Sequence, residues 1–548
     1  MARVSFLQAK QVYPQRMIYQ DYLAGTKKLA LFYRWYPATE QALLSRAVEL
    51  ASSGNPRVRL SEVLVQYNRQ ILAGPATIQN ARLLAEPQTL AVVTGQQPGF
   101  AGGPLYNIYK AVSAIKLAQH LHRTTGRNVV PVFWIASEDA NLSEIDRTSW
   151  IDRRGQLRQI RVDLPNTGRQ ISTLRIEQTV LDAFEQLLEL MPETEFRACW
   201  QQLYKPLAGQ PWGQWFGRIY AQLFAEQGLV LLEPHIVYSC AGEIFSRIVA
   251  HLPGLQQTFQ TNTAALIKQG YPPQISPRSQ AILYTTDQGR RQPIIPPDDN
   301  YNPSELASLA KEHPERLSCS VMLRPVVQDF LLPTMAYVAG PGEIAYFAQL
   351  AGLYKQLDIA MPVIWPRTSM TLAEPNIARL MEKYSLDEHE LLCESTPQIP
   401  TPDAQADGPA AQPLRQLAEQ AKDNLAQLTQ KLKAQDISLE KFANKILNRL
   451  NRDIDRLLQR GSASANQHQQ ITQGRLQRIR LSLWPQAQPQ ERVFPMLAYL
   501  VYYGQAILEE IIRQVDVFDF RHRVVYLDFT GPAKQQEQAS REHSHEPG

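Results

Sequence analysis

Cysteine is scarce in this chain of 548 residues, and its distribution argues against two kinds of protein. The cysteines stand singly, without a Cys-x-x-Cys pair, at Cys199, Cys240, Cys319 and Cys393. We therefore expect neither a disulfide scaffold nor a zinc site built on cysteine pairs. His543 and His545 in the polar C-terminal tail are weak evidence for a metal, and we expect no metal site.

Long apolar runs and a strong charge of one sign are also missing. The apolar stretch VVPVFWIA at 129–136 is too short to span a bilayer, and the N-terminus has no apolar segment like that of a signal peptide. The 56 basic and 52 acidic residues leave a net charge of only +4. These features predict a cytoplasmic protein that binds neither nucleic acid nor membrane.

The composition, 44% hydrophobic and 20% charged, is that of a globular protein, and the length favours two domains. Between about 90 and 370, helical patterns alternate with short apolar runs, namely LAVV, VVPVFWIA, GLVLLEP, AILYTT, TMAYVAG and MPVIWP. This alternation predicts an α/β fold with a doubly wound parallel sheet. The less regular region 150–330 is expected to contain inserted elements with some antiparallel hairpin.

After the core, leucine and isoleucine recur at three-four spacing with charged residues between them. This spacing predicts a long antiparallel helical hairpin or coiled coil, with its turn at GSASANQHQQ, residues 461–470. Ordinary bundle helices packed on the core are the alternative. The predicted boundaries are a core at 1–393, a linker at 394–413, a helical arm at 414–485, a segment returning to the core at 486–530 and a disordered tail at 531–548.

The stretch TGQQPGFAGGPLYNIYK, from Thr94 to Lys110, lies between a predicted strand and a predicted helix. Backbone N–H groups at such a corner favour an anionic or carbonyl group of a ligand, and adjacent glutamine amides suit hydroxyl or carboxylate recognition. Neither GxxxxGK[ST] nor GxGxxG is present at this turn, so a nucleotide would have to be bound through a different set of contacts. A tight turn with Pro104 beginning the helix is the alternative. The candidate ligand-binding residues here are Thr94, Gly95, Gln96, Gln97, Tyr106, Tyr109 and Lys110.

Two acids, Glu138 and Asp139, follow the next strand in VFWIASEDANLSEID. Ligands of a parallel sheet bind at the carboxyl ends of its strands, so these acids are candidates to position an amine or to remove its proton. Neighbouring residues in extended chain point to opposite sides, so we expect different roles for the two. Helix capping by Asp139 or Ser143 is the alternative.

A second glycine corner, Gly340-Pro341-Gly342, again follows a strand and precedes a helix, with Glu343 at the start of the helix. A capped turn in which Glu343 interacts with the helix dipole would explain it equally well. The polar residues in and around this stretch that we select as candidate ligand-binding residues are Gln328, Asp329, Gly340, Gly342, Glu343 and Arg367.

Together, the motifs TGQQPG with GGPLYNIYK, PVFWIASED, RPVVQDFLLPTMAYVAGPGEIAYFAQL and MPVIWPR resemble those of the cysteine ligases of bacillithiol biosynthesis. The similarity runs from about residue 5 to 530. It implies a Rossmann-like core with inserted connecting elements and an antiparallel coiled-coil arm that forms a homodimer. It also implies a reaction that joins cysteine to the amine of glucosaminyl-malate, with ATP and an acyl-adenylate or acyl-phosphate expected because an amide is made from a free carboxylate.

The chain departs from the family pattern at two places. It reads Glu-Asp-Ala-Asn at 138–141 where the family typically reads Glu-Asp-His-Asp, and Gly102 stands where the family has threonine. We assign catalysis to Glu138, Asp139 and Asn141. Because the histidine is missing, a binding protein without catalysis, or one with another acceptor amine, is the second hypothesis. RNA binding through the arginines of the arm is a third, for which a solvated helix face is the simpler explanation.

Overall fold

In the computed structural model, the described residues separate into two compact units. The described residues are 3–51, 57–152, 154–164, 168–276, 283–296, 302–392 and 411–528. The first unit contains the described residues up to Pro375, Leu392 and those from Leu483 onward, and the second contains Asn376–Leu391 and the described part of 395–482. The predicted linker up to residue 410, the tail at 531–548, Cys393, His543 and His545 lie outside the described residues.

Thirteen strands are present in the described part of the chain, in four sheets. They are β1 (Arg3–Leu7), β2 (Leu90–Gln96), β3 (Val129–Ile135), β4 (Arg147–Ile151), β5 (Leu157–Arg161), β6 (Val230–Leu232), β7 (Leu283–Asp287), β8 (Arg290–Ile294), β9 (Leu317–Cys319), β10 (Thr334–Ala339), β11 (Val363–Pro366), β12 (Met370–Ala373) and β13 (His522–Tyr526).

The central sheet has five parallel strands in the order β11-β10-β2-β3-β6. Its strands are buried along almost their whole length, as expected for a parallel sheet that is covered on both faces. From β2, the strands follow in chain order towards both edges of the sheet, with β3 and β6 on one side and β10 and β11 on the other, which is the Rossmann-like arrangement. The order therefore reverses between β2 and β10, and in such sheets a ligand crevice forms at the carboxyl ends of the two strands that flank this point.

Helices cover the central sheet, build the rest of the first unit and make up the second unit. They are α1 (Ala9–Val12), α2 (Met17–Leu23), α3 (Glu40–Ala51), α4 (Val58–Gln70), α5 (Pro75–Leu83), α6 (Leu105–Thr125), α7 (Gln178–Glu189), α8 (Arg197–Tyr204), α9 (Trp212–Leu223), α10 (Pro234–Val237), α11 (Gly242–Lys268), α12 (Pro303–Glu312), α13 (Arg324–Leu331), α14 (Pro341–Gln356), α15 (Pro375–Lys383), α16 (Glu388–Leu391), α17 (Ala411–Gln435), α18 (Glu440–Leu483), α19 (Met496–Tyr503) and α20 (Ala506–Gln514). Among the described residues, no helix is long and apolar enough to span a membrane.

The inserted region contains the expected antiparallel elements, the β4-β5 hairpin and the sheet β8-β7-β9. The alternating pattern placed the run at 281–286 among the parallel strands, and this was wrong. Its described part belongs to β7, which pairs antiparallel with both of its neighbours. The left-handed residues Gln288 and Gly289 explain the difference, because a two-residue hairpin turn returns the chain at once and leaves no crossover helix.

The helical hairpin of the arm is formed by α17 and α18, and its turn lies at residues 436–439 instead of 461–470. The Asp436 carboxylate accepts the Ser438 N–H at 2.8 Å and caps the connection. GSASANQHQQ is instead an internal part of α18, because a single glycine costs a helix only about 1 kcal/mol and the serines, alanines and glutamines around it are compatible with a helix. The prediction gave too much weight to glycine and serine, and too little to the capping aspartate.

The C-terminal segment returns to the first unit, as two helices and a strand. Gly504 adopts φ 66° and separates α19 from α20. The last strand, β13, lies between β1 and β12, with β1 antiparallel and β12 parallel to it. Residues from both ends of the chain therefore meet in one small sheet.

Candidate active site

The first glycine corner follows β2 at the point where the strand order reverses. The Thr94 hydroxyl is buried and donates to the Val338 carbonyl at 2.9 Å, which joins β2 to β10. A Cβ added to Gly95 would stand 2.7 Å from the Trp134 carbonyl oxygen of β3, so no larger residue fits between these strands without a backbone shift. Gly103 has φ 73°, in the left-handed region that favours glycine, and leads through Pro104 into α6.

Lys110, on α6, connects the two glycine corners. Its ammonium group is 1% exposed and donates to the Gly95 carbonyl, to Gln96 Oε1 at 3.2 Å and to Glu343 Oε2 at 2.6 Å. Burial lowers the pKa of Lys110 to about 8, and the charge of Glu343 opposes part of this shift. All three N–H bonds have an acceptor, so Lys110 acts here as an electrostatic link between β2 and α14.

The second corner, at the end of β10, is closed by Glu343. Its carboxylate accepts the Gly340 N–H at 2.8 Å and the Tyr337 hydroxyl at 2.7 Å, besides the Lys110 ammonium. Glu343 therefore caps α14, which is the alternative given for this turn in the sequence analysis. It also links the second corner to the first through Lys110. Gly342 lies in the first turn of α14, with the Gln274 side chain 4.0 Å from the position of an added Cβ.

Glu138, just beyond β3, is 6% exposed and stands among charged and hydroxyl groups from several elements. Its Oε2 accepts the Tyr238 hydroxyl at 2.5 Å, and its Oε1 lies 3.9 Å from the Arg324 Nε. Within the described part of the chain, Oε1 has no hydrogen-bond partner. Burial raises the pKa of Glu138 to about 7, although Arg324 and the hydroxyl of Tyr238 favour the charged form.

Asp139 has different partners from Glu138, in agreement with the expectation that the two acids point apart. Its Oδ2 accepts the Gln97 amide at 2.5 Å, and its Oδ1 accepts the N–H groups of Ala140 and Asn141 at 2.7 and 3.1 Å. The turn is continued by Asn141, whose side-chain oxygen accepts the Ser143 N–H at 3.3 Å. Asp139 thus joins the strand tips of β2 and β3 and holds the turn at 140–141, whereas the residue that caps the following short helix is Asn141, and not Asp139 or Ser143 as the alternative predicted.

Arg367 follows β11, and the C-terminal segment fixes its position. Its guanidinium is 3% exposed and forms an ion pair with Glu491, which is fully buried. Glu491 also accepts the hydroxyls of Tyr13 and Ser369 at 2.6 and 3.0 Å. The Arg367 guanidinium lies 5.7 Å from the ring centroid of Tyr106, a partly buried residue of α6. Arg367 is therefore neutralised by its own chain.

Gln328 and Asp329 do not join the strand tips. They lie in α13, which starts with Arg324 beside Glu138 and runs back toward the amino end of β10. Gln328 donates to Asp329 at 3.0 Å, and Asp329 accepts the Tyr354 hydroxyl at 2.5 Å. Burial raises the pKa of Asp329 to about 6.

A cavity of about 730 Å³ lies at the amino ends of β10 and β11. Asp329 contributes to its lining, whereas the residues of the glycine corners do not. The α13 helix therefore separates two polar regions, with Arg324 facing one and Asp329 facing the other. Tyr109 is also set apart, because its hydroxyl is buried and has no hydrogen-bond partner within the described residues.

Sequence reasoning missed Tyr238 and Glu491, and it left Arg324 out of the candidate set. Tyr238 lies a hundred positions from Glu138, and Glu491 lies 124 positions after Arg367. No spacing rule connects residues that are so far apart. For Arg324, the RPVVQD motif offered a signal. A helix that leads directly into a central strand begins near the carboxyl edge of the sheet, so an arginine in its first turn lies at that edge.

Two family models together match nearly the whole chain. The N-terminal Rossmann-like domain of bacillithiol biosynthesis BshC matches residues 4–368, and the C-terminal coiled-coil domain of the same family matches residues 370–527. The chain belongs to the BshC family. Glu491 falls in the part matched by the coiled-coil model but packs in the first compact unit, so the C-terminal part of this chain also contributes to the region of the strand tips.

Relatives in several bacteria cover the chain almost completely. The protein of Desulforamulus reducens is 30% identical over 92% of this chain and 97% of its own length, and that of Heliobacterium modesticaldum is 32% identical over 86% and 91%. The protein of Bacillus cytotoxicus is 27% identical over 94% and 98%. Each of these relatives is named as a cysteine ligase, BshC.

Proposed function

We propose that this protein joins cysteine to the amine of glucosaminyl-malate through an amide bond. Membership of the BshC family and the names of the relatives support a cysteine ligase of bacillithiol biosynthesis. The observation that carries the proposal is the convergence of three strand tips at the reversal point of the sheet. Lys110 links the tips of β2 and β10, and the Gln97–Asp139 hydrogen bond links those of β2 and β3.

Amide formation needs a group that accepts a proton, and Glu138 is suited to that role. A C–N bond forms between the amine nitrogen and the cysteine carboxyl carbon, and a C–O bond of that carboxyl group breaks. The amine must lose a proton to attack, and a general base works best when its pKa lies near the ambient pH. The pKa of Glu138, raised by burial to about 7, and its Oε1 without a hydrogen-bond partner in the described residues fit this requirement.

The residues around Glu138 would orient the two substrates. Asp139 is partly exposed, and its carboxylate offers acceptors to the sugar hydroxyls or to the amine. The start of α14 directs backbone N–H groups and the positive end of a 16-residue helix toward the strand tips, where a substrate carboxylate would be favoured. In this proposal, Asn141 shapes the turn that holds Asp139 instead of touching the reacting atoms.

ATP would supply the activation that makes the oxygen of the cysteine carboxylate a leaving group. The ammonium of Lys110 does not fit a phosphate chain, because its three N–H bonds already have acceptors. Arg367 is likewise neutralised by Glu491. Arg169 and Arg290, on the inserted elements nearby, form no ion pair with the residues that the structure describes, and these fit a chain of phosphates better.

The experiment that tests the proposal replaces Glu138 with glutamine. The amide keeps the size of the side chain but cannot accept a proton, so we expect product formation to fall by about 10² to 10⁴. Cysteine, glucosaminyl-malate and ATP would be incubated with the purified protein, and the amide product measured by mass spectrometry. Glu226→Gln, at an exposed position, is the matched control. Turnover by Glu138→Gln at the wild-type rate would exclude Glu138 as the base.

A binding protein without catalysis would bind cysteine, the amino-sugar conjugate and ATP but form no product. The relatives compared above are all named as ligases, and they give this second hypothesis no support. The absence of the family histidine at position 140 motivated it. The combined changes Ala140→His and Asn141→Asp should leave product formation within a few-fold of wild type if Glu138 is the base. A gain of several orders of magnitude would favour the second hypothesis.

A further inference from the structure

Two arginines face each other on the inserted elements beside the strand tips. Arg169 and Arg290 are partners in an isolated antiparallel β-bridge. Residues directly opposite in such a bridge project their side chains from the same face, with Cβ atoms about 4.5 to 5.5 Å apart. Like charges directly opposite each other are unfavourable, and this bridge places two cationic side chains on one face, with Arg169 partly buried and Arg290 exposed.

Nothing in the described part of the chain compensates these charges with an ion pair. No carboxylate oxygen lies within 4 Å of either guanidinium among the described residues, although Asp287 is opposite Arg290 in the β7–β8 register. The Nε of Arg169 is buried and lacks a hydrogen-bond partner there. The arginines of the neighbouring β4–β5 hairpin differ, since Arg158 pairs with Asp152 at 2.9 Å and Arg161 with Asp146 at 2.8 Å.

The two arginines are held in place by the backbone around them. The Gln170 N–H donates to the Gly289 carbonyl at 2.9 Å, which fixes the tip of the β7–β8 hairpin against the segment that carries Arg169. Gly289 has φ 78°, and a Cβ added to it would collide with the Thr173 side chain. The tip is therefore packed closely, and the position of Arg290 follows from it.

The same segment runs directly along the tip of β3. The Ile171 N–H donates to the Asp139 carbonyl at 2.9 Å, and the Ser172 N–H donates to the Ser137 carbonyl at 2.8 Å. Arg169 precedes Ile171 by two residues, or about 7 Å of extended chain. A ligand that binds at the arginine pair can therefore also contact the candidate catalytic acids, if it carries a group that extends over about this distance.

We propose that Arg169 and Arg290 bind the phosphate chain of a nucleoside triphosphate that is used at the strand tips. The inference rests on the proposed function, which requires an activating phosphate compound. A guanidinium group binds phosphate oxygens through two parallel N–H bonds, and an anion placed between two such groups converts their repulsion into attraction. This assignment explains how the protein holds a nucleotide although its glycine corner lacks the phosphate-loop pattern.

The test measures binding separately from turnover. Isothermal titration calorimetry of the full-length protein with ATP, and with inorganic triphosphate, would compare the wild type with Arg169→Gln and Arg290→Gln. We expect each single variant to bind both ligands at least tenfold more weakly. Arg158→Gln, which removes an exposed and ion-paired arginine of the adjacent hairpin, should bind both with unchanged affinity. Thermal melts without ligand should be unchanged or slightly higher for Arg169→Gln and Arg290→Gln, because a repulsion is removed.

Each outcome decides the inference. Wild-type affinity for ATP in both variants, or no binding of ATP by the wild type, would overturn it. Binding of inorganic triphosphate without any binding of ATP would overturn the assignment to a nucleotide. If ATP binding depends on the two arginines but no amide product forms, the phosphate site stands and the proposed ligase reaction fails. If product forms and both variants keep wild-type ATP affinity, the ligase reaction stands and the phosphate site fails.

Discussion

Lys110 shows how one buried side chain determines the geometry of a whole site. The glycines of the two corners allow the backbones to approach, but glycine itself cannot hold two strands together. The Lys110 ammonium supplies exactly as many donors as there are acceptors around it, on Gly95, Gln96 and Glu343. The energetic cost of burying the ion is offset only while all these contacts are present.

Replacing Lys110 with methionine should therefore destabilise the protein strongly. The change leaves the Glu343 carboxylate, 17% exposed, without its cation, and breaking such a pair typically costs about 3 to 5 kcal/mol. Urea unfolding followed by tryptophan fluorescence would measure the loss. Lys116→Met, on the same helix, is the control and should change stability by less than about 1 kcal/mol. A double change that also replaces Glu343 with glutamine should recover part of the loss; an additive loss would contradict the proposed link.

The buried network around Glu491 predicts that the free energy of unfolding depends on pH. Burial alone would raise the pKa of Glu491, but the Arg367 guanidinium outweighs it and the pKa falls to about 2. Burial lowers the pKa of His522 to about 4. Both pKa values are depressed in the folded state, so both groups favour folding at neutral pH, and their contributions are lost as the pH falls. Each shift corresponds to roughly 3 kcal/mol.

Thermal melts between pH 8 and pH 3 would test this expectation. Because the raised pKa values of Glu138 and Asp329 stabilise the folded state over part of this range, the quantity to compare is the difference between the wild type and His522→Gln. The wild-type midpoint should fall relative to that of His522→Gln between about pH 6.5 and 4, as His522 becomes protonated in the unfolded state. Both proteins should lose stability alike below about pH 4.5, where Glu491 contributes. A constant difference between the two midpoints from pH 8 to pH 4 would show that His522 is not responsible.

At the residue scale, the sequence identified the groups that lie in the motifs and missed those that support them. Lys110 and Glu343, which lie next to the two glycine corners, are in contact, and Gln97 contacts Asp139; the selection of these residues as ligand-binding stays a prediction. Tyr238 and Glu491 have no local signal and reach the strand tips only through the tertiary fold. Gln328 and Asp329 were grouped with the corners because they are near in sequence, but α13 carries them away from the strand tips.

At the scale of elements, the parallel strands were predictable because burial on both faces requires continuous apolar runs. The run in β7 looks similar but belongs to an antiparallel insertion, and the short hairpin turn after it was the information that decided its pairing. The long helix α18 was predicted with a turn inside it. In that case periodicity was the better guide, since the apolar spacing resumes after residues 461–470.

The continuous helix α18 leads to a prediction about Gly461. No heavy atom lies within 4 Å of a Cβ added there, and its backbone φ lies outside the left-handed region that favours glycine. Gly461→Ala should therefore stabilise the arm by about 1 kcal/mol, through helix propensity alone. Circular dichroism melts of the full-length protein would measure it, and Gly474→Ala, in the same helix with equally open surroundings, should behave alike. A destabilised Gly461→Ala variant would favour a turn at this place.

At the scale of the whole molecule, the arm leaves large apolar side chains in contact with solvent. Those that are more than half exposed are Leu417 (62%), Leu428 (55%), Ile437 (78%), Phe442 (65%) and Leu457 (71%). Exposed apolar residues that recur along a pair of helices are typical of an interface between proteins. The prediction of a homodimer through the arm is consistent with this exposure.

Charges placed on that apolar surface should abolish the dimer. We expect the combined change Phe442→Glu and Leu457→Glu to give a monomer that keeps the fold of the first unit. Sedimentation velocity would measure the mass, with Lys441→Glu and Arg456→Glu as a control that adds the same charged residues at neighbouring polar positions. A dimer that persists in the first variant would place the interface elsewhere, and a monomeric wild type would contradict the prediction altogether.

The ion pair between Arg367 and Glu491 has a consequence for how the protein is made. Arg367 leaves the ribosome long before Glu491 is synthesised, and the helical arm is translated between them. During that interval Arg367, which is buried in the folded protein, lacks the carboxylate that neutralises it. Nascent chains and truncated products that end before Glu491 should therefore lack the proposed ligase activity, which restricts it to polypeptides that have been translated beyond that residue.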